Sequence, residues 1–174
     1  MAWVVLTGYM GAGKSTVGRA AAGRLTRAFV DSDERIEHDA GIDIPKIFAT
    51  KGELWFRRTE ERTIREIVGM DPPGVLAIGG GALESPRTRD MLQRVACVVW
   101  LRADPDVLWQ RVTGSTRPLA TDRDRFLRRY ARREAAYAEA AHIILDADQP
   151  FEAVIEAVEV AVRVRLGLPA GAGA

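Results

Sequence analysis

Short, uninterrupted apolar runs alternate along this chain with longer stretches of mixed apolar and charged residues. The runs are Trp3 to Leu6, Ala28 to Val30, Val75 to Ile78, Val95 to Leu101 and Ile143 to Leu145. Continuous apolar runs of this length, without an apolar–polar alternation, are the signature of strands covered on both faces. The stretches between them read as helices: Lys14 to Leu25, Glu34 to Ala40, a short one over Ile44 to Phe48, and Glu53 to Met70. Further on come Pro86 to Arg94, a segment from Pro105 to about Val112, Arg125 to Ala141, and Phe151 to Leu166. Their ends are punctuated. Gly41 and Gly52 break the pattern, Pro72-Pro73 stops the long helix, and Asp104-Pro105 opens another. Five strands alternating with helices predict a single α/β domain over residues 1–166, built on a parallel sheet with helices on both faces. Residues 113–124 carry Gly114, Pro118 and several charges without a clean period, and are expected to form a mobile surface loop. The Gly/Ala/Pro segment 167–174 reads as a disordered tail.

The first strand runs into Gly8-Tyr9-Met10-Gly11-Ala12-Gly13-Lys14-Ser15, and a helix follows. Strand, glycine-rich turn and helix is the setting in which G-x-x-x-x-G-K-[ST] means a phosphate-binding loop. The glycines let backbone N–H groups turn inward, and the helix begins with its unpaired donors and positive dipole end toward the phosphates. Gly11, Ala12, Gly13, Lys14, Ser15 and Thr16 are the nucleotide-binding candidates. Lys14 would reach the β- and γ-phosphates, and the Ser15 hydroxyl would hold Mg²⁺.

Such a loop is common to GTPases, motor ATPases and small-molecule kinases, so other residues must choose. Asp31 and Asp33 stand at a strand end, where α/β sheets place their ligands. If the strand continues through them, their side chains point the same way. One carboxylate could hold Mg²⁺ and the other could take a proton from a substrate hydroxyl. Arg57 lies early in the long helix, three residues before Glu60 and four before Glu61, within reach of both. Gly79-Gly80-Gly81 ends the third strand without side chains and admits a ligand against the backbone. Arg117, in the irregular loop, could stabilise charge on a transferring phosphoryl group as that loop closes. Arg132 and Arg133 stand in a run with Arg125, Arg128 and Arg129, and spacing alone does not select one of them.

Composition removes several classes. With 25 basic and 24 acidic side chains the net charge is +1, so nothing favours nucleic acid or an anionic membrane as partner. The single cysteine, Cys97, lies in an apolar run and reads as a packing residue, and an intrachain disulfide framework is impossible. No apolar stretch has transmembrane length, and a strand begins almost at the N-terminus, so the cytoplasm is the expected compartment. His38 and His142 carry no motif.

Taken together, Gly8 to Ser15, Asp31-Ser32-Asp33, Ile47-Phe48 with Gly52-Glu53 and Phe56-Arg57, Gly79-Gly80-Gly81, Arg117-Pro118-Leu119, and Arg133 with Tyr137 resemble the shikimate kinase family in order and over most of the chain. The resemblance implies a five-stranded parallel sheet in order 2-3-1-4-5 and a mobile lid at about 113–124, with substrate-binding helices at about 34–62. It implies transfer of the γ-phosphoryl group of ATP to the 3-hydroxyl of shikimate, in aromatic amino acid biosynthesis, by a protein expected to be monomeric. Carried over, Lys14 and Arg117 contact the phosphates, Ser15 and Asp31 serve Mg²⁺, and Asp33 is the candidate base. Arg57 and Arg133 clamp the substrate carboxylate, Gly79, Gly80 and Gly81 support the ring, and Arg111 packs on adenine. Two guanidinium groups suit a planar carboxylate, because each offers paired N–H donors. The other readings are a related kinase of another hydroxy acid such as gluconate, and a nucleotide-binding regulatory module without catalysis. Intact Lys14, Ser15, Asp31 and Asp33 argue against the second.

Overall fold

The computed structural model describes residues 2–113 and 122–169. Strand β1 (Trp3–Thr7) is followed by α1 (Lys14–Arg24), β2 (Phe29–Asp31), α2 (Ser32–Ala40), α3 (Ile44–Lys51) and α4 (Glu53–Val68). Strand β3 (Val75–Ala77) leads through a single 3₁₀ turn (Ala82–Glu84) to α5 (Pro86–Val95) and β4 (Ala96–Arg102). Helices α6 (Pro105–Thr113) and α7 (Arg123–Ala140), strand β5 (Ile143–Asp146) and helix α8 (Phe151–Leu166) complete the order.

The five strands form one sheet in the order β2-β3-β1-β4-β5, with every pairing parallel. The apolar runs explain the layering. All residues of β1 and β3 are buried, and so is β4 up to Leu101. These are the strands with a neighbour on each side. The edge strand β5 is only half covered, with Ile144 52% exposed, so its apolar run is less buried than its composition suggests. A parallel strand hidden on both faces must be apolar throughout, and an edge strand need not be.

A second, smaller apolar cluster stands apart from this core. Ile36 of α2, Ile47 of α3 and Phe56 of α4 are its buried members, and Phe48 lies against Phe56 with ring centroids 4.8 Å apart. It holds α2, α3 and the start of α4 together as a unit beside the carboxyl ends of β2 and β3. Full burial of one such side chain is worth about 1.5–3 kcal/mol. Three of them order these helices without merging them into the main core.

Residue 33 is not where the strand reading puts it. Strand β2 ends at Asp31, which is the N-cap of α2, and its carboxylate accepts from the backbone N–H of Asp33 and Glu34. Asp33 is therefore in the first helical turn. The period of two does not relate the two aspartates, because the backbone changes conformation between them. Several helix boundaries also shift by one or two residues, and α7 begins at Arg123 rather than Arg125. At the C-terminus, Gly167 closes α8 in the left-handed region and Leu168 N–H bonds to the Arg163 carbonyl. Residues 170–174 lie outside the described residues.

Candidate active site

Every candidate among the described residues gathers at the carboxyl end of the sheet. The loop after β1 occupies the middle, because β1 is the central strand. The connections after β2 and β3 lie to one side, and those after β4 and β5 to the other.

The glycines of the phosphate loop are there for reach and conformation. Gly8 has φ 144°, and a Cβ at that position would stand 2.7 Å from the Leu101 carbonyl oxygen. Gly13, with φ 81°, is the N-cap of α1 and offers no side chain to the first-turn N–H groups, which leaves these donors for a ligand. Lys14 Nζ donates to the Tyr9 carbonyl at 3.2 Å, which holds the ammonium group over the loop. Ala12 is buried and Thr16 is exposed beyond the turn. Gly8→Ala should combine backbone strain with a clash, at a cost of about 1–3 kcal/mol. Thermal unfolding and binding of a non-hydrolysable ATP analogue would report it, and a variant matching the parent in both would show that the loop can yield.

Ser15 Oγ donates to Asp31 Oδ2 at 2.6 Å. Asp31 Oδ1 is committed to capping α2, so the carboxylate is fixed at both ends. A hydroxyl and a carboxylate beside a phosphate cradle are hard oxygen donors of the kind Mg²⁺ takes, with water and phosphate completing its shell. The residues present therefore fit Mg²⁺. Among the described residues no group of three or more His, Cys, Asp or Glu side chains forms a metal cage, and this mode of binding needs none.

On the other side of the loop, Asp33 and Glu60 approach Gly79. A Cβ on Gly79 would stand 2.5 Å from Glu60 Oε1 and 2.9 Å from Asp33 Oδ1. Both oxygens are buried without a hydrogen-bond partner among the described residues. Burial, with the neighbouring Glu60 and Asp31 charges adding to it and Lys14 opposing, pushes the Asp33 carboxyl up to about 6. A carboxylate with an open lone pair and a raised pKa can accept a proton from a hydroxyl. Glu60 is also raised by burial, while its other oxygen receives Arg57 Nη1 at 2.7 Å.

The two arginines meet over Gly81. A Cβ there would lie 2.6 and 2.7 Å from the terminal nitrogens of Arg57 and 2.8 Å from Arg133 Nη2. Their N–H donors thus converge on one point above a backbone that has no side chain. Arg133 is 6% exposed, whereas the Arg132 side chain is 71% exposed and reaches only the outer side of Glu84, at 3.4 Å. Of the two, Arg133 is the one with a terminal nitrogen against Gly81. Arg133 lies over the Tyr9 ring, 5.6 Å from its centroid, and Tyr137 beneath donates its hydroxyl to the Gly80 carbonyl at 2.5 Å. Burial pushes the Tyr137 phenol up, so it remains a donor. Of the two carboxylates expected near Arg57, only Glu60 joins it. Glu61 takes Arg65 and the Ser85 hydroxyl instead.

Arg111 reaches across the far side. A Cβ on Gly11 would lie 3.6 Å from Arg111 Cβ, and Arg111 Nη2 donates to the Ala147 carbonyl after β5 at 2.9 Å. It spans from the phosphate loop to the β5–α8 connection. Arg117 lies outside the described residues.

Known proteins share this sequence pattern and fold. The sequence model of the shikimate kinase family matches residues 10–162. The chain belongs to the shikimate kinase family. It is 42% identical over 151 residues to a shikimate kinase of Burkholderia pseudomallei, covering 84% of this chain and 82% of that one. With the shikimate kinase of Ruegeria pomeroyi it shares 41% over 167 residues, 93% of this chain and 85% of that one. Among solved structures, shikimate kinase from Acinetobacter baumannii in complex with shikimate superposes with a TM-score of 0.84 at 34% identity, covering 96% and 94% of the two chains. A gluconokinase from Sinorhizobium meliloti, with a TM-score of 0.61 at 21% identity and 95% of each chain covered, shares the fold.

Within this family architecture the sequence reading missed Glu60 as a buried member of the site, Glu84 beside Arg133, and Tyr9 beneath it. Glu60 sits in a run of charges at residues 57, 58, 60, 61 and 62 that looks like a solvated face. The one usable signal was its distance of three residues from Arg57.

Proposed function

We propose that this chain is a shikimate kinase, transferring the γ-phosphoryl group of ATP to the 3-hydroxyl of shikimate in aromatic amino acid biosynthesis. The observation that carries the reading is the convergence of Arg57 and Arg133 on Gly81, on the same side of the phosphate loop as Asp33. A monocarboxylate ring lying on Gly79 to Gly81 would engage both guanidinium groups with its acid and turn a hydroxyl toward Asp33. Neutral polyols would make little use of the two cations.

Phosphoryl transfer needs positioning and charge neutralisation more than covalent help. Asp33 accepts the hydroxyl proton as the oxygen attacks. Lys14 and the first-turn N–H groups of α1 gather the charge of the phosphates, and Arg117 is assigned to the same task from the loop between α6 and α7. Arg111 is assigned to the adenine. Ser15 and Asp31 would hold Mg²⁺, which would supply neutralisation of the phosphate charge. The enzyme acts as a monomer in the cytoplasm. In support, every residue assigned a role above belongs to one chain, and no helix among the described residues is long and apolar enough to cross a membrane.

The deciding experiment is ATP consumption with Mg²⁺ and shikimate, quinate, gluconate or no acceptor. Consumption with shikimate alone is expected. Consumption with gluconate alone, or with none while ATP still binds, would remove the reading. For the clamp, Arg57→Ala should raise the KM for shikimate about tenfold to a hundredfold, the weight of a charge-assisted hydrogen bond. Its kcat should change less. The substitution also leaves Glu60 buried without its cation, so the melting temperature should fall. A KM within twofold of the parent would return Arg57 to a structural ion pair.

A further inference from the structure

Each arginine of the clamp hydrogen-bonds a carboxylate, but through a different nitrogen, and Glu84 also takes Arg132 Nη2 at 3.4 Å. Arg57 gives Nη1 to Glu60, which is 2% exposed. Arg133 gives Nε to Glu84 at 2.5 Å and so keeps both terminal nitrogens for the Gly80–Gly81 side of the site. An arginine bound through Nε can neither turn its guanidinium edge for edge nor withdraw along its stem without breaking that bond.

Glu84 is itself rigidly placed. It ends the 3₁₀ turn that follows the three glycines, and its N–H bonds to the Gly81 carbonyl at 3.0 Å. The preceding Ala82 and Leu83 are buried, and Arg89 Nη1 donates to the Leu83 carbonyl at 2.7 Å. Ser85, the next residue, caps α5. The carboxylate therefore stands on a fixed backbone rather than at the tip of a loop. Burial disfavours its charge, but the hydrogen bond and charge of Arg133, with Arg132 beyond, hold the Glu84 carboxyl below its usual range. A cation as buried as Arg133 requires a counter-charge. Among the described residues the carboxylate hydrogen-bonded to it is Glu84.

We propose that Glu84 is a positioning residue for substrate recognition: by taking Arg133 Nε it aims the terminal N–H donors of Arg133 at the carboxylate of the acid substrate. The inference rests on the reading of the site as the binding place of a hydroxylated monocarboxylic acid. It adds that the affinity for that acid depends on a residue that does not touch it.

The test compares Glu84→Ala and Glu84→Gln with the parent in steady-state kinetics, varying shikimate and ATP separately, with thermal unfolding alongside. Glu84→Ala is expected to raise the KM for shikimate about tenfold, with kcat within about threefold and the KM for ATP unchanged. Glu84→Gln keeps an oxygen acceptor for Nε and should recover part of the loss. An unchanged or lower KM for shikimate in Glu84→Ala would overturn the proposal, a lower one because Glu84 would then compete with the substrate for Arg133. A parallel decline of kcat, both KM values and melting temperature would also overturn it, in favour of a merely structural role. A parent protein that does not consume ATP with shikimate would instead remove the substrate reading itself.

Discussion

Asp33→Asn should lower turnover by about 10²–10⁴, the usual contribution of a positioned general base. The argument is geometric first. Asp33 Oδ1 is buried, faces the Gly79 side of the site and has no partner among the described residues. The amide cannot take up the proton that the attacking hydroxyl must lose. The raised pKa adds a pH signature. Only the ionised carboxylate is a base, so kcat/KM for shikimate should fall as the pH drops through about 6, approaching tenfold per unit below it. The residual activity of the Asn variant should lack this limb. Stability should move the other way. The folded-state pKa lies above that of the unfolded chain, so the native state loses stability as the pH rises from about 4 through about 6. The shift corresponds to on the order of 3 kcal/mol at pH 7. Removing the charge should therefore raise the melting temperature at pH 7 while activity collapses. Turnover near that of the parent would reduce Asp33 to an orienting group, and a lower melting temperature would mean that its charge is stabilised by a partner.

Gly81→Ala should raise the KM for shikimate by about 10² or more while leaving the fold and the affinity for ATP intact. Gly81 has φ −104° and ψ −6°, which alanine adopts without strain. The whole effect is therefore one of space. The new methyl would stand within 3 Å of three guanidinium nitrogens belonging to two arginines, each already tied to a carboxylate. Both clamps would be displaced, and each charge-assisted contact is worth about 1.5–3 kcal/mol. Titration with shikimate at saturating ATP would measure it. A KM within threefold of the parent would mean that the acid does not sit over Gly81.

The contrast between these two positions shows what a linear reading can and cannot reach. The phosphate loop was legible because it is local. Gly8, Gly13, Lys14 and Ser15 act within eight residues of one another, and their backbone conformation is written into the residue types. The buried strands were legible because a strand covered on both faces is apolar nearly throughout, as β3 is and as β1 is up to Thr7. The strand order came by resemblance, since composition and period say nothing of which strands become neighbours.

Asp33 was singled out for a reason that the fold does not use. The sequence reading extended β2 through it, but Asp31 caps a helix instead, and Asp33 reaches the site from the first turn of α2. Both routes bring its carboxylate to the strand end, so its place there does not depend on the strand reading. Arg133 shows the opposite case. The six arginines of α7 are equivalent as a pattern, and the packing of Tyr9, Glu84 and Tyr137 around Arg133 sets that one apart.

What the sequence determined by itself was the set of short-range devices: the phosphate cradle, the apolar strands, the caps, and a near balance of charge. The tertiary structure decided which charges face each other. Glu60, Glu84, Arg57 and Arg133 come from α4, the turn after β3 and α7, and they meet because the parallel sheet brings those elements to one end. A charge on a helix looks the same in sequence whether it faces water or a ligand. Burial and the partner across the gap make the difference, and both are properties of the folded chain alone.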